Sequence, residues 1–283
     1  VVAASATAAP AIALEGSLLL VGCGKMGGAL LGGWLDRGVA ASAVTAVEPQ
    51  AQNAADFAAR GVRIVEGFAE LPSDLAPAVA VLAVKPQQMD AVLPALRPVL
   101  RPETLVLSIA AGKLLDSFAQ GLGAELAVVR AMPNTPAAIN RGMSVLCANA
   151  RVDAPGRRLA ESLMAAAGEV AWVDDEALMD PVTAVSGGGP AYVFLLIECL
   201  ARAGIEAGLP EDLARRLARV TVAGSGELVH RSKEPPERLR ENVTSPGGTT
   251  LEALKVLMAP DGLQPLMTRA IAAATRRSRE LAS

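Results

Sequence analysis

Ser17-Leu18-Leu19-Leu20-Val21-Gly22-Cys23-Gly24-Lys25-Met26-Gly27 runs from an apolar stretch straight into a glycine-rich turn, and an apolar helix-like run, residues 29–35, follows it. Strand, glycine turn and helix in that order build an anion site. The first glycine makes the tight turn, the second lets backbone approach a phosphate, and the third lets the helix pack close to the strand. The next apolar stretch, 44–47, ends in Glu48, 21 residues past Gly27, where a dinucleotide-binding unit places the acid that meets a ribose hydroxyl. Gly22, Cys23, Gly24, Lys25, Met26, Gly27 and Glu48 are therefore the first candidate cofactor contacts.

Outward from this turn, short apolar runs alternate with helix-like segments as far as residue 173: 18–21, 44–47, 62–65, 79–84, 105–109, 126–130, 143–147 and 170–173. Most lack a strict period of two, as expected of strands covered on both faces of a mostly parallel sheet. Beyond Asp174 the segments become long and rich in Ala, Leu, Arg and Glu, with Pro or Gly only at their joints. The expected architecture is α/β: a disordered Ala-rich tail over 1–16, a dinucleotide-binding domain over 17–173 and an all-helical domain over 174–283. The run from Ala191 is expected to form a buried helix. It carries more apolar residues than one amphipathic stripe needs, so a second copy of the chain is expected to cover the other face.

Composition narrows the chemistry. The 283 residues allow two domains, and a net charge of -3 from 26 basic and 29 acidic residues gives no basic excess for nucleic acid. Three separated cysteines, Cys23, Cys147 and Cys199, argue against a disulfide framework and fit a cytoplasmic protein. With His230 as the single histidine, a multi-histidine metal site or a Ser-His-Asp triad in the cofactor domain is hard to build. Mean hydropathy is high at +0.37, yet Glu198, Arg202 and Glu206 interrupt the apolar run from Ala191, so no membrane span is expected.

Further candidates sit where strands end. Ala83-Val84-Lys85-Pro86 closes the fourth run at the carboxyl edge of the sheet, where ligands bind in open α/β folds. Lys85 there reads equally as a contact to phosphate or nicotinamide and as a solvated lysine. Met132-Pro133-Asn134-Thr135-Pro136 is a proline-fixed loop whose Asn134 bonds either a ligand or its own turn. Ser186-Gly187-Gly188-Gly189-Pro190 precedes the long apolar helix and reads by itself as a place of close helix packing. Ser245-Pro246-Gly247-Gly248-Thr249-Thr250 opens a helix with free backbone N–H groups and hydroxyls, which suits a carboxylate nest or an ordinary helix cap.

These motifs, in this order and over nearly the whole chain, resemble the pyrroline-5-carboxylate reductase family, whose members carry out the last step of proline biosynthesis. The resemblance implies a Rossmann-like domain for NADPH or NADH, followed by a helical domain that forms intertwined homodimers, often assembled into decamers. It implies that Ser245, Gly247, Gly248 and Thr249 hold the carboxylate of 1-pyrroline-5-carboxylate. Thr250 would hydrogen-bond the ring nitrogen. The chemistry suits the sparse inventory: reducing a cyclic imine needs a hydride donor over one face, an anchored carboxylate and a proton on nitrogen. Two positions depart from the family. Gly188 stands where a serine is usual, and Glu48 stands where a small polar residue with a nearby arginine usually receives the 2′-phosphate of NADPH. Neither Pro49 nor Gln50 supplies a compensating charge.

Two other readings compete. Asp180-Pro181-Val182 with Ser186-Gly187-Gly188 is similar to the substrate loop of β-hydroxyacid dehydrogenases. That family needs a helical lysine followed four residues on by asparagine, and neither Lys233 nor Lys255 has one. A regulator that senses a dinucleotide without turnover would have no use for a carboxylate nest.

Overall fold

All eight apolar runs become strands of one sheet in the computed structural model, which describes residues 11–282: β1 (Ser17–Val21), β2 (Val44–Val47), β3 (Arg63–Val65), β4 (Pro77–Leu82), β5 (Leu105–Ser108), β6 (Ala127–Met132), β7 (Gly142–Ala148) and β8 (Gly168–Trp172). Their order in the sheet is β3-β2-β1-β4-β5-β6-β7-β8. The pairs are parallel except β6 with β7, because the link between them is a short 3-10 turn, Thr135–Ile139, with no crossover helix. β1 lies between β2 and β4, so the chain winds away from it in both directions. The crevice over the carboxyl ends of β1 and β4 is the switch point at which such sheets bind ligands.

The strands are apolar along their whole length because both faces are covered. In β1, Leu18 and Leu20 enter one core with Leu30, Leu31 and Trp34 of α1 (Lys25–Asp36), while Leu19 and Val21 enter the other. That second core includes Met89 and Leu93 of α3 (Met89–Leu96) and Phe118 of α4 (Leu115–Leu122). A short α2 (Ala55–Ala59) precedes β3. α5 (Ala154–Met164) packs beside α1, where the buried Trp34 indole donates to the Leu163 carbonyl at 2.9 Å.

Two expectations need correction. The tail does not extend to residue 16: Ile12 is buried in the first core and its N–H donates to the Arg37 carbonyl at 3.1 Å. Residues 1–10 lie outside the described residues. The compact units divide after Gly187, not at 173, and the end of the chain from Thr275 on returns to the first unit. The composition does change at Asp174, but long-range bonds decide the boundary. The Glu176 carboxylate accepts from the Leu115 N–H and from the Arg130 guanidinium, and Met179 of α6 (Met179–Val182) is buried against β7. At the other end of the first unit, Ser278 donates to Asp180 at 2.7 Å.

The second unit holds α7 (Gly189–Glu206), α8 (Glu211–Arg231), α9 (Pro236–Asn242), α10 (Thr249–Leu257) and most of α11 (Leu263–Ala282). α7 and α8 pack through small residues, with Ala201, Ala214 and Ala218 buried and Gly204 set against Ala214. The expectation of a buried α7 fails for the single chain. Val193, Phe194, Leu195, Leu196 and Leu200 are all exposed, because α8 covers only one side. The continuous helical run Glu176–Glu206 is long and apolar enough to cross a membrane, with a mean hydropathy of 1.5 over its most apolar window.

Candidate functional site

The turn after β1 is shaped by its neighbours. Gly22 has φ +94°, donates its N–H to the Val47 carbonyl at 2.9 Å, and would carry a Cβ 2.9 Å from the Ala83 carbonyl oxygen. A Cβ on Gly27 would stand 2.2 Å from the Gly22 oxygen. Both glycines are therefore required by the protein itself. Gly24 differs: nothing lies within 4 Å of where its Cβ would be. It caps α1 with extended backbone and no side-chain hydrogen bond, and no acid occupies the first helical turn. An open glycine before an uncapped, acid-free helix N-terminus fits a dinucleotide pyrophosphate. When bound, the dinucleotide would supply the hydride.

Glu48 is the charged group most firmly fixed in this site. It is buried, and one carboxylate oxygen accepts the Cys23 N–H at 2.7 Å. The other accepts the Gln50 N–H at 3.0 Å and the Asn53 amide at 3.3 Å. The end of β2 is thereby tied to the turn after β1. Burial, and then the Glu48 charge, push the Cys23 thiol up to about 11, so the thiol stays protonated and inert.

Six of the expected cofactor residues line one cleft of about 470 Å³: Gly22, Gly24, Glu48, Ala83, Val84 and Lys85. Asn53, Glu66, Phe68 and Gln88 line it too and were missed in the sequence. Gln88 could have been found, since its side chain accepts the Lys85 N–H at 3.2 Å across a proline-started turn. Glu66 and Phe68 enter only because β3 lies beside β2. Of the other expected contacts, Lys25 is exposed at the first position of α1, Met26 packs against the core, and Pro86 starts the turn after Lys85. Cys23 is corrected to a structural residue, its N–H committed to Glu48 and its side chain in the core. Asn134 also does not line the cleft. Its oxygen accepts the Met143 N–H at 2.9 Å and its amide donates to the Ser186 carbonyl and hydroxyl at 3.3 and 3.2 Å. Its side chain thus bonds neither its own turn nor the cleft but ties the loop to β7 and to Ser186, 52 residues on.

The second glycine loop belongs to the helical unit. Gly247 takes φ +69°, the Gly248 N–H returns to the Ser245 carbonyl at 3.0 Å, and α10 starts at Thr249 with no side-chain cap. Ser245, Gly247, Thr249 and Thr250 are exposed, and neither threonine hydroxyl has a hydrogen-bond partner among the described residues. This start of α10 can receive a carboxylate through backbone N–H groups and place a hydroxyl beside it.

Comparison with known proteins agrees with both halves. Residues 176–281 match the family described as pyrroline-5-carboxylate reductase dimerisation, and residues 17–112 match the family described as NADP oxidoreductase, coenzyme F420-dependent. A pyrroline-5-carboxylate reductase of Pseudomonas aeruginosa is 44% identical over 266 residues, 94% of this chain and 96% of that one. The chain belongs to the pyrroline-5-carboxylate reductase family. The Escherichia coli member is 38% identical over 86% of this chain and 90% of its own. Among solved structures, the Coxiella burnetii reductase superposes with a TM-score of 0.87 at 34% identity, covering 95% of this chain and 99% of that one. A Plasmodium falciparum pyrroline carboxylate reductase with NADP bound gives 0.80 at 30% identity, covering 96% and 100%. Membership makes the chain an NAD(P)H-dependent oxidoreductase and sets aside the hydroxyacid dehydrogenase and sensor readings.

Proposed function

We propose that this member of the family reduces 1-pyrroline-5-carboxylate to proline, the last step of proline biosynthesis, with roles divided between its two glycine turns. Residues 22–27 seat the pyrophosphate of NAD(P)H, and Ala83, Val84 and Lys85 line the cleft beyond it. Ser245, Gly247, Gly248 and Thr249 hold the substrate carboxylate, and the Thr250 hydroxyl orients the ring nitrogen. Bound as the protonated iminium, the substrate already carries the proton that reduction places on nitrogen, so the protein need supply no acid and a neutral hydroxyl that accepts from the ring N–H suffices. The observation that carries this reading is the uncapped start of α10, where unpartnered hydroxyls stand beside a Gly-Gly turn in a chain of this family.

The protein is an oligomer in this reading, a homodimer built on the exposed apolar face of α7, with a decamer as the larger assembly to test by light scattering. Its free, separated cysteines support a cytoplasmic enzyme, and a net charge of -3 without a basic excess suits a small-molecule substrate better than nucleic acid. Steady-state oxidation of NADH and of NADPH in the presence of pyrroline-5-carboxylate tests the function. Turnover with either supports it, whereas consumption of neither, with NAD(P) reduced instead by a 3-hydroxy acid, would overturn it.

A further inference from the structure

The charged groups of the cofactor cleft are sorted by strand. Glu48 ends β2 and Glu66 follows β3, whereas Lys85, the one cation among the described residues that line the cleft, follows β4. In the order β3-β2-β1-β4, the lysine stands two strands from Glu48 and three from Glu66, about 10 and 14 Å at ordinary strand spacing. In a sheet of this kind the ribose of the adenosine half lies at the end of the second strand, against the acid found there. That half of the cleft therefore holds two carboxylates, the Asn53 amide and the Phe68 ring, with no cation.

Glu48 cannot swing clear of an incoming anion. Its three hydrogen bonds fix both oxygens, and moving it would strip the buried Cys23 N–H of its acceptor and loosen the glycine turn. We infer that Glu48 and Glu66 together make this cleft select the dinucleotide with a free ribose 2′-hydroxyl, NADH, against the 2′-phosphorylated one. This rests on the reading of the cleft as a dinucleotide site. Glu48 acts both as a selector and as the positioning residue of the pyrophosphate turn, while Glu66 acts through charge alone: it is exposed, and its carboxylate bonds nothing among the described residues.

The two roles separate in a binding experiment with ADP-ribose and 2′-phospho-ADP-ribose, titrated calorimetrically into the full-length protein. The wild type is expected to bind ADP-ribose at least about tenfold more tightly, since a fixed carboxylate at contact range of a phosphate repels it by more than the 1.4 kcal/mol that one decade represents. Glu66→Arg, which leaves the Cys23 bond in place, should narrow the ratio by about tenfold or more. Glu48→Gln should weaken both ligands, because its amide has one acceptor oxygen where the carboxylate uses two, and it can serve the Cys23 N–H or the Gln50 N–H but not both. Equal or tighter binding of the 2′-phosphate form by the wild type overturns the inference and leaves the dinucleotide reading standing. An unchanged ratio in Glu66→Arg removes Glu66 from the selection, and binding of neither fragment overturns both readings.

Discussion

The glycine turn at residues 22–27 and the one at 245–250 both feed a helix N-terminus, yet the first is gripped by its own sheet and the second has almost nothing leaning on it. In the first, β2 and β4 hold the backbone of Gly22 and Val21 by hydrogen bonds, Glu48 holds Cys23, and two of three glycines have no room for a Cβ. In the second, the contacts are local, from Gly248 to Ser245 and from Leu251 to Gly248, and nothing lies within 4 Å of a Cβ on Gly247. A seat for a large, constant ligand is prebuilt as part of the core. In the proposed reading, the seat for the substrate carboxylate is a surface feature whose geometry rests on a few backbone angles. Mutations should therefore damage the first turn through folding and the second through catalysis.

The largest effect separating the two should come from Gly27→Ala set beside Gly247→Ala. At Gly27 the new methyl meets backbone oxygen at 2.2 Å, and neither α1 nor the sheet edge can retreat without opening the core. The expected cost is about 3 kcal/mol or more, at the upper end of overpacking penalties. At Gly247 the cost is the left-handed backbone alone, φ +69°, about 1 to 2 kcal/mol. Urea denaturation at fixed protein concentration checks both. If the two losses match, the first turn is no more closed than the second.

Gly24→Val tests the same turn from its open side. Its Cβ touches no protein atom and its backbone is extended, so the variant should fold normally. It should lose dinucleotide affinity on the order of a hundredfold, because the side chain fills the space where backbone meets the pyrophosphate. Fluorescence titration with NADH gives the number. A folded Gly24→Val protein with wild-type affinity would move the pyrophosphate away from this turn.

How legible each region was follows from how local its determinants are. All eight strands could be read because two-sided burial makes each one apolar throughout, and Glu48 could be read because the spacing from the glycine turn is fixed by one helix and one strand. The reversal of β7 was not foreseen, although the short span after Met132, too short for a crossover helix, already carried the signal. The end of the first unit was misplaced because Glu176, Met179 and Ser186 are bound to it by residues 46 or more positions away in two of the three cases, through Arg130 and Asn134. Glu66 and Phe68 join the site only through the neighbour relation of β3 and β2, which sequence spacing does not encode. At the second turn, spacing could not separate Thr249 from Thr250, and the choice still rests on the family motif.

Thr250→Ala should lower kcat/KM for the imine by about one to two decades, the worth of a hydrogen bond to a charged group at 1.5 to 3 kcal/mol. Its hydroxyl is exposed and unpartnered among the described residues, so stability and NADH affinity should not move. Kinetics on Thr249→Ala fixes the register. A crippled Thr249→Ala beside a normal Thr250→Ala passes the role to the earlier residue.

The smallest effect is a pH dependence that belongs to the closed turn alone. The Cys23 thiol is raised to about 11 in the folded protein, by burial first and the Glu48 carboxylate second, from an ordinary value of 9.0. Between those two values the unfolded chain loses the proton and the folded chain keeps it, so the unfolded state gains stability as pH rises. The contribution of the protonated thiol is thus fully present below pH 9 and is lost progressively as pH climbs toward 11. One pH unit into that window is worth about 1 kcal/mol. Cys23→Ser removes the ionisation, so the stability of the wild type minus that of the variant should fall by about that amount between pH 8 and pH 10. Urea denaturation at both pH values measures it. A difference that stays constant would mean that Cys23 ionises as freely as an exposed thiol, and that the first turn is open to water in the way the second one is.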